Sequence, residues 1–167
     1  LIGLHHDDGK TEELWQQYFL SKIRGKDTSG RETVDHSTLG GLIVNEYEPG
    51  SMLSEMVQIA IFTHHGLADC VSVQDGVPLL AKRARKYDRE EILRMKDICE
   101  QEMPEENMKK LCREAREDLN KVLRQIEELT DSEKRKEQYG NKNFYLGMCE
   151  RLLFSVLADA DVRDTVD

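Results

Sequence analysis

Long apolar runs, paired cysteines and an excess of positive charge are all missing from this 167-residue chain. No stretch approaches the roughly 18 unbroken apolar residues that a membrane-spanning helix needs. With 38% hydrophobic and 34% charged residues, the composition is that of a soluble, strongly helical protein. Four cysteines, Cys70, Cys99, Cys112 and Cys149, are scattered without a C-x-x-C pair. That spacing excludes a zinc ribbon, and the chain is not the small secreted kind that a disulfide framework staples, so the reading is reduced thiols in the cytoplasm. A net charge of −9 argues against tight, nonspecific binding of duplex DNA across the whole surface. It leaves chemistry on a phosphodiester open, because bound divalent cations invert the local field of an acidic site. No secretory leader is expected; there is no internal repeat or low-complexity segment, and no G-x-x-x-x-G-K-[ST] signature, so any ATP-driven motor is expected elsewhere. The length suits one domain. The chain opens at Leu1 inside an apolar "LIGL" rather than at a methionine, from which missing upstream residues are expected.

What is present reads almost entirely as helix. Residues 11–24 place Leu14, Trp15, Tyr18, Phe19 and Ile23 on one stripe, read as core packing, with Thr11 as N-cap. Residues 36–47 form a shorter helix whose Gly40–Gly41 pair allows close packing, and "EPGS" (48–51) breaks it. Residues 51–65 are apolar on most sides, which predicts a buried helix ended by Gly66. The following loop contains a Val-Ser-Val that forms at most a short strand. The basic run "AKRARKY" (81–87) is read as a solvated face, with a backbone-contacting rim as the alternative. From Asp88 to about Leu129 the chain is charged and helical, broken at Met103–Pro104. Met108, Leu111, Cys112, Ala115, Leu119, Val122, Leu123, Ile126 and Leu129 recur at three- and four-residue steps. This predicts a hairpin laid on the core, or else a surface for a partner helix. The last helix, from Phe144 to about Thr165, is apolar and predicted buried. The fold class is all-α.

The chemistry lies in the histidines. All five, at positions 5, 6, 36, 64 and 65, precede the last hundred residues, and each falls at the beginning or end of a predicted helix. "LHHDDGK" (4–10) is either a charge-rich solvated turn or half of a metal site. His6–Asp7, His36, His64–His65 and the acidic pair Asp159/Asp161 inside an apolar helix favour the second. Burying those carboxylates unpartnered costs several kcal/mol, on the order of 2–7 for a polar group, and a bound cation removes that objection for all of them. Neighbours on a helix point about 100° apart, so His6 and Asp7 share an ion only if the helix stops there, which Gly9 is expected to provide. Gly66 is expected to release His64 and His65 in the same way. Asp159 and Asp161 lie about 200° apart around a helix. Only one of them faces the ions, and the other bonds a helix terminus or is solvated.

"HDDGK" (6–10) resembles the H-D-x-G-K signature of the HD phosphohydrolase superfamily. "VDHSTLGG" (34–41), "FTHHGLAD" (62–69) and "LLFSVLADADVRDT" (152–165) follow in the right order. Together the four motifs resemble the HD nuclease domain of the CRISPR-associated nuclease–helicase of type I systems. The resemblance covers the chain apart from a charged helical hairpin, about 85–140, which reads as an insertion into a single HD domain spanning 1–167. It implies a helical bundle that holds two divalent metal ions and hydrolyses single-stranded DNA by metal-activated water during CRISPR interference. Asp7 would bridge both ions. His6 and the last-helix aspartate would belong to one, and His36, His64 and His65 to the other. Aligning the family's final "A-D" selects Asp161. Lys10 would neutralise the scissile phosphate, and Ser37 would sit beside it as a hydrogen-bond donor. A histidine-rich set suits manganese, nickel, cobalt or iron better than magnesium.

The implied partners are single-stranded DNA, a helicase domain or subunit, and a CRISPR RNA-guided surveillance complex. A membrane is not among them, and the protein is expected to be a cytoplasmic monomer. Two departures stand out. The family's histidine ligand on a helix before the H-D motif has no counterpart here, and His5 and Asp8 replace residues that are usually apolar; both are read as peripheral. The alternatives are an HD phosphohydrolase acting on nucleotides or cyclic dinucleotides, and a non-catalytic helical interaction module.

Overall fold

The computed structural model describes residues 1–25, 35–65, 73–74, 76–131 and 140–166. The helices among them are α1 (Ile2–His5), α2 (Glu13–Ile23), α3 (Ser37–Tyr47), α4 (Met52–Thr63), α5 (Leu79–Ala84), α6 (Arg89–Glu102), α7 (Glu105–Thr130) and α8 (Lys142–Val166), with a 3₁₀ turn at Asp8–Thr11. Two-residue strands, β1 (Val73–Gln74) and β2 (Val77–Pro78), pair antiparallel around Gly76, whose φ of +78° suits a residue without Cβ. So small a pairing leaves the protein an all-α bundle. No described helix is long and apolar enough to cross a membrane.

The bundle is organised around α3. Every residue from Ser37 to Val44 is buried, because small residues at its start let other backbones come close while Leu42, Ile43 and Val44 fill the interior. A Cβ on Gly40 would lie 1.7 Å from the His5 carbonyl oxygen, and one on Gly41 would lie 2.6 Å from the Phe62 ring. The glycine pair therefore does allow close packing, and its neighbours are α1 on one side and α4 on the other. On α4, Leu53, Met56, Val57, Ala60, Ile61 and Phe62 are all buried, each large side chain contributing about 1.5–3 kcal/mol. Ser51 caps α4 by accepting a hydrogen bond from the Ser54 N–H at 3.0 Å.

Two charged helices, α6 and α7, form over the expected stretch and break at Met103 and Pro104, as predicted. Asp88 and Glu91 make a reciprocal capping box at the start of α6. Both helices supply core: Met95 of α6 packs on Leu39 and Ile43, and Met108 and Cys112 of α7 are 1% exposed.

Three local expectations are corrected. Helix α2 begins at Glu13 with Glu12 as its N-cap residue, and Thr11 instead donates to the Asp8 carbonyl at 2.6 Å, closing the 3₁₀ turn. The apolar stripe of α2 is largely open to solvent, with Leu14 63%, Phe19 44% and Ile23 65% exposed. Helix α8 is not buried along its length either. Leu157 is enclosed, but Leu152 and Val156 face an apolar cavity of about 540 Å³ lined by α1, α4, α7 and α8. Gly66 and the "GLAD" that follows the histidine pair lie outside the described residues.

Candidate metal centre

Helix ends bring the ligand-type side chains together. His5 is the last residue of α1 and His6 its C-cap, His36 is the N-cap residue of α3, and His64 is the C-cap of α4, followed by His65. Asp7 precedes the 3₁₀ turn. Helix α1 thus stops four residues before Gly9, which corrects the role expected of that glycine. Gly9 is instead needed for close approach, since a Cβ there would lie 2.3 Å from the His36 carbonyl oxygen. It lets the H-D turn lie directly against the start of α3.

The donor atoms fall into two sets that share Asp7. Asp7, His36, His64 and His65 form one, His6, Asp7 and Asp161 the other, and within each set the donors lie within 4.8 Å of one another. The two carboxylate oxygens of Asp7 divide between them. Oδ1 lies 3.8 Å from His36 Nε2 and 4.0 Å from His64 Nε2, while Oδ2 lies 3.2 Å from His6 Nε2. His6 Nε2 is 3.5 Å from Asp161 Oδ1, and His36 and His65 bring their Nε2 atoms to 2.5 Å. Asp159 is not among the donors; it pairs with Arg163 at 3.0 Å on the outer face of α8. The two aspartates thus point to different sides, as their spacing requires.

Tautomers follow from the outer hydrogen bonds. His64 Nδ1 donates to the Ile61 carbonyl at 2.6 Å, and His6 Nδ1 donates to the Gly3 carbonyl at 2.9 Å. A carbonyl only accepts, so in each neutral ring the proton is on Nδ1 and Nε2 presents a lone pair to the cluster. Burial, with only partial relief from the Ile61 carbonyl, lowers the His64 pKa to about 4, so its ring is neutral at physiological pH. Burial raises the Asp7 carboxyl, but the Lys10 hydrogen bond and the nearby His6, Lys10 and His36 charges outweigh it and hold the pKa below the ordinary value.

Among the described residues, two buried side-chain polar atoms have no hydrogen-bond partner, and they are Asp7 Oδ1 and His64 Nε2. Both are acceptors, facing each other across 4.0 Å. Buried polar atoms are almost always satisfied, and two acceptors satisfy neither. A cation between them would, and the carboxylate and imidazole donors fit a divalent ion of the manganese-to-nickel series.

Lys10 and Ser37 stand differently. Lys10 Nζ bonds Asp7 Oδ2 at 2.5 Å, at the edge of the cluster. Ser37 is buried beneath it and donates its hydroxyl to Asp35 Oδ1 at 3.1 Å, outside both donor sets. His5 and Asp8 pair with each other, and His5 Nε2 lies 3.3 Å from Met108 Sδ, so they anchor the H-D turn to α7.

Asp35 is a positioning residue that the sequence reading missed. It accepts from the backbone N–H groups of Ser37 and Thr38 at 3.0 and 3.1 Å, from both hydroxyls, and from Lys86 Nζ at 3.0 Å. Burial works against its ionisation, but the Thr38, Lys86 and Ser37 bonds keep its pKa far below the ordinary carboxylate value. The signal was available, since Asp followed by Ser-Thr before an apolar run is an N-capping pattern. Part of the basic run serves the same scaffold, for Arg83 donates to the Phe62 carbonyl and Tyr87 Oη to the Asp35 carbonyl at 3.1 Å. With Arg83, Lys86 and Tyr87 so engaged, the run is neither a wholly solvated face nor a free rim. Comparison with family models, curated proteins and solved structures gives no match.

Proposed function

We propose that this chain is a metal-dependent phosphodiesterase whose substrate is single-stranded DNA. The observation that carries the hydrolytic part is the pair of buried, unpartnered acceptors, Asp7 Oδ1 and His64 Nε2, at the junction of two donor sets that share one carboxylate. The choice of substrate, and of a helicase and a CRISPR RNA-guided surveillance complex as partners, rests on the resemblance of the four ordered motifs.

His6, Asp7 and Asp161 would hold one divalent ion, and Asp7, His36, His64 and His65 the other. A pair of such ions supplies Lewis acidity toward the phosphate and a nucleophile at neutral pH. The chain's own residues do the positioning. Ile61 and Gly3 carbonyls fix the ring orientations of His64 and His6, and Asp35 fixes the turn from which His36 projects. Lys10 is the cation nearest the Asp7 carboxylate, and once released from it can meet a nonbridging phosphate oxygen. Ser37 supports this arrangement through Asp35, since its hydroxyl is already engaged there.

The test is cleavage of circular single-stranded DNA by purified protein in EDTA and in manganese, nickel or magnesium, beside a panel of nucleotides and cyclic dinucleotides. Cutting that requires manganese or nickel and disappears in Asp7→Ala is the expected result. Hydrolysis of the small nucleotides with the circle left intact would move the substrate to that class. Inactivity on every substrate with every metal would refute the hydrolytic reading.

A further inference from the structure

We propose that Trp15 and Phe19 on α2 form a stacking platform for the nucleobases of a single strand whose phosphate lies at the cluster, an inference that rests on the phosphodiesterase reading above. The two rings are stacked, with centroids 5.0 Å apart and planes within 15°. Trp15 also stands edge-on to His36, its ring centroid 5.8 Å away. The rings thus form a short line leading outward from a candidate metal ligand, with Phe19 two ring contacts from His36. Phe19 is 44% exposed, so the outer side of the line is open.

Exposure on this helix is otherwise hard to account for. An apolar stripe beside a polar cluster costs solubility unless something covers it. A flat, parallel ring pair suits a planar occupant, and every nucleobase has a π-face that stacks on such rings irrespective of sequence. The charge on the same helix agrees. Lys22 lies over the Tyr18 ring, 5.5 Å from its centroid, and Arg24 follows at the C-cap. The two acids at the start of the helix are engaged: Glu13 accepts from Gln17, and Glu12 is buried against Tyr87. Cations with open aromatic rings are the combination that single strands use, the backbone meeting the charge and the bases meeting the rings.

Trp15 is the chain's one tryptophan, so its fluorescence reports this surface alone. Full-length protein in EDTA is titrated with a short oligothymidylate and with an abasic strand of equal length. The oligothymidylate is expected to quench Trp15 saturably and the abasic strand to leave it unchanged. In manganese, the wild type is expected to show a KM for the thymidylate strand lower than for the abasic one by about five- to a hundredfold, the range that one base–aromatic stack provides. Phe19→Ala should lose that preference and Phe19→Tyr keep it. Equal quenching by both strands, absence of any quenching, or a strand preference that survives Phe19→Ala would overturn the platform. Failure of the wild type to cleave either strand would instead count against the phosphodiesterase reading, while the quenching by thymidylate alone would still support the platform.

Discussion

Divalent cations should stabilise this fold, and Asp7→Ala should remove that gain without unfolding the protein. Asp7 Oδ1 and His64 Nε2 are buried acceptors without a partner among the described residues, each costing about 1–3 kcal/mol. Removing the Asp7 carboxylate deletes one of these costs and also the Lys10 pair. That pair is partly exposed, with the Lys10 side chain 37% accessible, so it contributes only about 0.2–1 kcal/mol. The two changes offset, and the metal-free variant should lie within about 1–2 kcal/mol of the wild type by the same two magnitudes. With metal the comparison is no longer close. An ion that binds only the folded state stabilises it by about 2.7 kcal/mol at a free concentration a hundredfold above Kd. For a chain of this length each kcal/mol moves Tm by about 2–4 °C, so the wild type should gain about 5–11 °C. Thermal melts in EDTA, manganese, nickel and magnesium measure this directly. Manganese or nickel should raise Tm in the wild type and not in Asp7→Ala. The same rise in both proteins would refute the argument from the orphaned acceptors, because Asp7 is common to both donor sets.

Other expectations follow from the scaffold. Gly40→Ala places a methyl group 1.7 Å from the His5 carbonyl oxygen. Because the obstacle is backbone, it should cost about 3 kcal/mol or more in a urea melt and abolish the metal-dependent rise; wild-type stability would contradict the packing of α1 on α3. Asp35→Ala removes the acceptor of two N–H groups at the start of α3 and should cost about 1–2 kcal/mol, read as a lower urea midpoint with an unchanged slope. Burial, helped by the Asp8 carboxylate, pushes the Cys99 thiol up to about 12 from an ordinary 9.0. The unfolded chain therefore loses this proton first, so the stabilisation is whole below pH 9 and falls as pH rises toward 12. Cys99→Ala should make that decline shallower in urea melts between pH 8 and 10.5 (~), and equal slopes would show the thiol to be solvated. Lys10→Met frees Asp7 Oδ2 and should slow DNA cleavage while metal still raises Tm; loss of the thermal rise would place Lys10 in metal retention instead.

The sequence by itself determined the all-α class, the break between two charged helices at Met103–Pro104, and which residues carry ligand-type chemistry. Those features are local: helical periodicity, a proline that cannot continue a helix, histidines at helix ends, and an acidic pair inside an otherwise apolar helix. Burial was less legible. The stripe on α2 and the apolar run of α8 have the periodicity of core helices, yet periodicity tells which residues share a face and not what covers it. Leu14, Ile23, Leu152 and Val156 all remain exposed. The role of Gly9 was similarly beyond local reasoning, since the His36 carbonyl that forbids a Cβ there is brought by another part of the chain. Asp35 carried a capping pattern in plain view, but its bond to Lys86 comes from α3 and the segment after α5 meeting in space. Only the tertiary structure decided that Asp7 turns one carboxylate oxygen toward each donor set, that Asp161 and not Asp159 faces His6, and that Asp7 Oδ1 and His64 Nε2 are left facing each other. Side-chain identity is written in the chain, whereas convergence depends on how the helix ends are packed, and here that packing hangs on the glycines that let α1, the H-D turn and α4 close on α3.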